Sequence, residues 1–181
     1  MRIGLFGGSF NPIHNGHIAL AEQMLVKGAL DEVWFMVSPQ NPLKKQDDLA
    51  PDAVRYSWVE QALRDYPRLI AKDYEFHLPR PSYTWKTLQE LKKDFPGHEF
   101  VLIIGADNWV NFSRWAHHDD ILGDYDILVY PRPGYSVDTE SMPKNVLLVD
   151  TPMFNVSSTQ IRKLLKEGKS VEGLVPKGLK F

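Results

Sequence analysis

The sequence predicts an α/β protein with a mainly parallel sheet and helices on both faces. Three observations predict it. A short apolar run, Met1 to Phe6, leads into a glycine-rich stretch and then an amphipathic run, the order of strand, loop and helix. The segment Glu99-Phe100-Val101-Leu102-Ile103-Ile104-Gly105 is β-branched, apolar and closed by glycine, as a central parallel strand is. Between and beyond these two, strand-like and helix-like runs alternate.

The first strand is followed by Gly7-Gly8-Ser9-Phe10-Asn11-Pro12-Ile13-His14-Asn15-Gly16-His17. A helix is expected from Ile18 to Lys27, with Ile18, Ala21, Met24 and Leu25 on one face and Gly28 as its stop. The loop between them lies at the carboxyl end of a strand, where ligands of such folds bind. Gly7, Gly8 and Gly16 permit close approaches that side chains would block. The helix start supplies free N–H groups and the positive end of a dipole, and His14 and His17 add donors that can carry charge. Together these suit a phosphate group. The loop is neither a Walker loop, lacking the Lys-Ser/Thr pair, nor the G-x-G-x-x-G dinucleotide fingerprint. Two histidines three apart after a glycine pair favour a ligand role over plain helix capping. A protein-held metal is the weaker option, with no cysteine or third histidine nearby.

Glu32 to Ser38 reads as a second buried strand, and in the loop Pro39 to Lys45 beyond it Lys44 and Lys45 suit phosphate contact as well as a solvated charge pair. Asp52 to Tyr66 reads as a helix whose core stripe is Val54, Trp58 and Ala62, with Val59 and Leu63 beside it. Leu69 to Ala71 is a short strand. Ser82 or Thr84 caps a helix from Trp85 to Phe95 that buries Leu88 and Leu91. After the central strand, Asp107-Asn108 begins another helix, and Asp107 suits a ribose hydroxyl or a metal ion as well as a cap. In Asn111 to His118, Phe112 and Trp115 divide between core packing and, for Trp115, stacking on a flat ring, while His117 and His118 read as exposed. Tyr125 to Tyr130 is a fifth strand, Arg132-Pro133-Gly134-Tyr135 a turn, and Val146 to Val149 a sixth strand. Ser157 and Gln160 stand at capping-box spacing, so a last helix begins there with Ile161, Leu164 and Leu165 as its apolar face. Ser158, Thr159 and Arg162 in its first turns make a second anion site.

Composition sets the bounds. A chain of 181 residues, 43% hydrophobic, is expected to form one domain with a proper core. Its net charge of −2 argues against a nucleic-acid-coating protein, so phosphate binding must be local. Zero cysteines exclude disulfides and thiol chemistry and fit a reducing compartment. No apolar run approaches the roughly 20 residues of a membrane span. A chain starting at once with a strand is read as having no signal peptide, which gives a soluble cytoplasmic protein. Monomer and homo-oligomer are both open.

The first loop resembles the G-G-[ST]-F-[DN]-P-x-H-x-G-H signature of the adenylyl and cytidylyl transferases. With Pro81-Ser82-Tyr83-Thr84, Gly105-Ala106-Asp107-Asn108, Arg132-Pro133-Gly134-Tyr135 and Ser157-Ser158-Thr159-Gln160-Ile161-Arg162, nearly the whole chain is similar to the bacterial nicotinate-nucleotide adenylyltransferases. The resemblance implies a Rossmann-like sheet, transfer of the adenylyl group of ATP to nicotinate mononucleotide, release of pyrophosphate, and Mg²⁺ with the ATP. It implies catalytic roles for His14, His17 and Arg162. ATP would meet Gly7, Gly8, Ser9, Phe10, His14, Gly16, His17, Gly105, Asp107, Ser157, Ser158, Thr159 and Arg162. The acceptor would meet Asn41, Lys44, Lys45, Tyr83, Thr84, Trp115 and Arg132. Two departures stand out: Leu43-Lys44-Lys45 replaces the family's P-H-[KR], and the chain stops at Lys180-Phe181, short of the usual final helix. The alternatives are an adenylyltransferase for another phosphate acceptor, such as phosphopantetheine, and a non-catalytic nucleotide-binding module. An acceptor panel separates the first and pyrophosphate release the second.

Overall fold

Among the described residues the apolar runs become six parallel strands. The computed structural model describes residues 1–40 and 47–181. In chain order the strands are β1 (Arg2–Gly8), β2 (Glu32–Val37), β3 (Leu69–Lys72), β4 (Glu99–Gly105), β5 (Asp126–Tyr130) and β6 (Val146–Leu148). They lie in the order β3-β2-β1-β4-β5-β6. Every pairing is parallel, with Phe6 opposite Phe35 on one side and Ile103 on the other. The order reverses between β1 and β4, and ligands of such sheets bind at that switch point, beyond the carboxyl ends of the strands.

Side chains alternate across the sheet, which explains the apolar strands: both faces are covered. Phe6, Phe35, Val37, Val101 and Ile103 face one layer, formed by α1 (Asn15–Lys27) and α2 (Asp52–Ala62). Leu5, Trp34, Met36, Leu102 and Ile104 face the other, formed by α3 (Thr84–Asp94), α4 (Ala106–Val110) and α5 (His118–Asp124). α6 (Ser158–Lys166) closes the carboxyl side near the first loop.

Several helices depart from expectation. α1 starts at Asn15, three residues early, because a histidine side chain caps it. α2 ends at Ala62 rather than Tyr66. Its buried face is Arg55, Val59 and Ala62, while Val54, expected in the core, is 40% exposed and Trp58 only half-buried. The stripe sits one position round because the guanidinium of Arg55 turns inward to satisfy loop carbonyls. Neither Ser82 nor Thr84 caps α3: its N-cap is Tyr83, and no side chain bonds to the first turn. In α6 only Ile161 is fully buried, and Leu165 is exposed, since this helix touches the body along one edge. β1 continues through Gly7 and Gly8, so the glycine pair is strand, not loop.

Candidate active site

The first loop is built on two anchors. The Phe10 ring is 2% exposed and packs edge-on to Phe6 with 5.7 Å between ring centroids, although φ of Phe10 is +48°. Asn11 clamps a second loop to the first, donating to Asp48 O at 2.7 Å and accepting from Ala50 N at 3.2 Å.

Beyond these anchors His14 caps α1. Its Nδ1 accepts from the backbone N–H of Gly16 at 3.1 Å and of His17 at 3.3 Å, while Nδ1 of His17 accepts from the backbone N–H of His14 at 3.1 Å. This is a capping box made of two histidines. Capping and ligand binding are therefore not rival readings. With both Nδ1 atoms accepting, each neutral ring must carry its proton on Nε2, which becomes a fixed donor. The rings stack with centroids 3.7 Å apart, an arrangement hostile to two imidazolium charges. Burial, with Arg132 adding repulsion, holds the pKa of His14 down to about 4. Burial, then His14 and Arg132, pushes His17 well below the usual histidine range. Without a bound anion the two are therefore neutral donors.

Around this box lies a cavity of about 480 Å³, lined by Gly7, Gly8, Ser9, Phe10, His14, Gly16, His17, Asp107 and Arg132 and, from the last loop and helix, Ser157, Ser158 and Thr159. Gly16 is required here: a Cβ would lie 2.8 Å from Val156 Cγ1 and 2.9 Å from His14 Cε1. Gly105 ends β4 and is the backbone N-cap of α4, where a Cβ would sit 2.5 Å from Asp107 Oδ1. Asp107 pairs with Arg132 at 3.8 Å. Arg132 thus stands over the histidine cavity, not beside Thr84 and Trp115 with which the sequence grouped it.

A second cavity of about 220 Å³ shares Gly7, Gly8 and Tyr130 with the first. Thr84 and Trp115 both line it, with Ser82, Thr87 and Asn108. Trp115 leans on Phe112, ring centroids 5.1 Å apart. Tyr83 is 55% exposed, at the rim of this region. Arg162 is elsewhere: its Nη1 donates to Asn11 O at 2.9 Å and its Nη2 to Thr159 Oγ1 at 3.3 Å, and it lines a third cavity on the outer side of the first loop. Ser158 Oγ donates to Pro12 O at 2.8 Å, so the start of α6 is stitched to the first loop. Asn41, Lys44 and Lys45 lie outside the described residues.

Three buried groups near the site were not singled out in the sequence. Arg55, fully buried, donates to Ala50 O, Ser9 O and Ser38 O at 2.8–2.9 Å and pairs with Asp52. Its spacing with Val59 and Ala62 put a cation on an apolar face, a readable signal. Glu75, 9% exposed, and Thr87, 4% exposed, face each other at 2.6 Å in the second cavity. The sequence signal for Glu75 was a carboxylate between Tyr74 and Phe76.

The chain matches the Cytidylyltransferase-like family over residues 5–164. It is 54% identical over 170 residues, 94% of its length and 85% of the relative's, to a Bacteroides fragilis protein named "Probable nicotinate-nucleotide adenylyltransferase". A Cytophaga hutchinsonii protein of the same name is 48% identical, covering 98% of this chain and 92% of the relative. Among solved structures, the Plasmodium falciparum nicotinic acid mononucleotide adenylyltransferase complexed with NaAD superposes with a TM-score of 0.79 at 19% identity, over 96% of this chain and 90% of that one. At that identity the likeness speaks for the fold alone. The curated relatives speak for more: the chain belongs to the nicotinate-nucleotide adenylyltransferase family, within the Cytidylyltransferase-like group.

Proposed function

We propose that the protein transfers the adenylyl group of ATP to nicotinate mononucleotide, forming nicotinate adenine dinucleotide and pyrophosphate as a step of NAD biosynthesis. The observation that carries this is the junction at Gly7 and Gly8, where a donor-lined cavity and a smaller one lined by Trp115 meet at the sheet's switch point. A triphosphate fits the first and an aromatic ring the second, so the reacting phosphates meet over the glycine pair.

The acceptor's phosphate monoester has a second pKa of about 6 and is already an ionised nucleophile near neutral pH. No base or covalent intermediate is needed. The residues must hold two anions in line and stabilise charge on the departing pyrophosphate. In this reading the phosphates meet the Nε2–H donors of His14 and His17, the Arg132 guanidinium, Ser9 and the start of α6, which line one cavity. Arg162 supports them by holding the carbonyl of Asn11 in the first loop. Bound triphosphate raises the proton affinity of both imidazoles, since a nearby anion favours the charged form.

Mg²⁺ fits this donor set only in company with ATP. The first cavity offers one carboxylate, Asp107, and a few hydroxyls, and among the described residues no three His, Asp or Glu side chains cluster as a metal site. A hard cation keeping several waters, held chiefly by phosphate oxygens with Asp107 in reach, suits that chemistry. When bound it neutralises part of the phosphate charge. ATP, nicotinate mononucleotide and the absence of cysteines all go with a cytoplasmic location; among the described residues no helix is long and apolar enough to cross a membrane.

Pyrophosphate release from ATP, measured across nicotinate mononucleotide, nicotinamide mononucleotide and phosphopantetheine, tests the proposal. Turnover with the first is expected to exceed the others. Release with phosphopantetheine alone, or with none, overturns it.

A further inference from the structure

Glu75 lies in the 3₁₀ turn Tyr74–His77, with its side chain on the wall of the second cavity. Thr87 Oγ1 is 2.6 Å from Glu75 Oε2 and 3.3 Å from the carbonyl of Tyr83. Both neighbours are acceptors when the carboxylate is ionised, and a threonine hydroxyl has one proton. It cannot serve both. With a proton on Glu75 the conflict disappears: Glu75 donates to Thr87 Oγ1, and Thr87 donates to Tyr83 O. That carbonyl belongs to the N-cap of α3, which has no side-chain cap of its own. Beside it, Ser82 Oγ is buried without a partner, on the same cavity wall.

We propose that Glu75 is a proton-carrying positioning residue of the second cavity: neutral, it orders the Thr87–Tyr83 relay at the start of α3 and lets the cavity take an acceptor whose ring bears a carboxylate. Ionised, it would set a negative charge against that carboxylate and unmake the relay. The inference rests on the adenylyl-transfer reading.

The surroundings support a neutral Glu75. Burial raises its pKa above the usual 4.5, outweighing the hydroxyls of Thr87 and Ser38, which pull the other way. Among the described residues no charged partner compensates. On its own turn Asp73 and His77 pair with each other at 3.4 Å on the surface. On α3, Lys86 pairs with Glu90 at 3.2 Å. On α2, Arg55 spends its donors on Ser9 O, Ser38 O, Ala50 O and Asp52. Lys72 of β3 lies over the Trp34 ring, and Asp107 beyond β4 pairs with Arg132 in the other cavity.

The test compares kcat/KM for nicotinate and nicotinamide mononucleotides across pH. Their ratio cancels the titration of ATP, the shared phosphate and the histidines. In the unaltered protein the acid-to-amide ratio should fall about tenfold or more as pH rises through the raised pKa of Glu75. Glu75→Gln keeps a donor for Thr87 without the charge, so its ratio should be flat and within about threefold of the low-pH value. Glu75→Ala should lose acid-acceptor efficiency through KM. A flat ratio in the unaltered protein, or a folded Gln variant that loses acid preference, overturns the proposal. Thermal melting reads the proton without turnover. A raised folded-state pKa gives stability present below the unfolded value and lost as pH rises through the folded one. The melting temperature should therefore drop with rising pH relative to Glu75→Gln. Parallel melting curves overturn the proton assignment even if the unaltered protein makes no dinucleotide, a result that would sink the reaction instead.

Discussion

A Cβ on Gly7 would meet no protein atom within 4 Å, whereas one on Gly16 would strike Val156 and the His14 ring. The two glycines therefore answer to different demands. Gly7 lines both cavities, and in the proposed reaction its bareness leaves room for substrate; Gly16 lets the last loop close on the capping box. Gly7→Ala should melt within a degree or two of the unaltered protein yet raise KM for both substrates, as steady-state kinetics will show. Gly16→Ala should lower the melting temperature and kcat together. His17 adds a pH signature. Its pKa and that of His14 are depressed, so the unfolded chain binds more protons as pH falls. Stability is complete above about pH 6.5 and is lost as pH falls towards about 4, the value of His14. Urea melts across that window should flatten in His14→Asn and His17→Asn. In turnover, His17→Ala should lower kcat by about a hundredfold or more, the scale of one lost preorganised donor; near-normal kcat would remove it from the phosphate site.

At the scale of elements, two arginines hold the first loop. Arg55 binds it from below and Arg162 from α6. Arg55→Leu leaves three carbonyls without their donor and Asp52 with Arg80 as its remaining arginine partner, and should cost on the order of 3 kcal/mol in equilibrium unfolding. Arg162 is half-exposed; Arg162→Ala should spare stability and weaken ATP binding far more than acceptor binding, which calorimetry can separate. Strands and their order of appearance were legible because two-sided burial leaves an unbroken apolar run. Helix starts were less so. A histidine cap on α1 and a bare backbone cap on α3 carry no residue signature, so α1 was placed three residues late and Ser82 or Thr84 was credited with a bond that neither makes. The stripe of α2 was misplaced for a related reason: Val54 looks like core until Arg55 is seen to be needed by Ser9, Ser38 and Ala50, partners far apart in sequence. Glu75 was hidden likewise, since only the fold sets it against Thr87.

On the scale of the whole molecule, the proposed reaction has the switch point sort the substrates and the α3 side decide the acceptor's identity. The first N–H groups of α3 lack partners within the helix, the first internal bond being Thr87 N to Tyr83 O at 3.1 Å. Thr84 opens that turn on the cavity wall, and the Ser82 hydroxyl has no partner. All are donors awaiting an acceptor. A carboxylate accepts from every side, whereas a carboxamide must turn its own NH₂ towards one of them and leave buried groups unpaired. A site of this kind can discriminate by several orders of magnitude. Nicotinate mononucleotide should therefore have the higher kcat/KM, and most clearly where Glu75 is neutral. Trp115, lining the same cavity, would lie on the pyridine ring and fix its plane without sensing acid or amide. Trp115→Ala should raise KM for both acceptors and leave their ratio intact. Equal kcat/KM for acid and amide in the unaltered protein would put the carboxylate elsewhere, and a ratio that collapses in Trp115→Ala would mean that ring orientation, not donor matching, makes the choice.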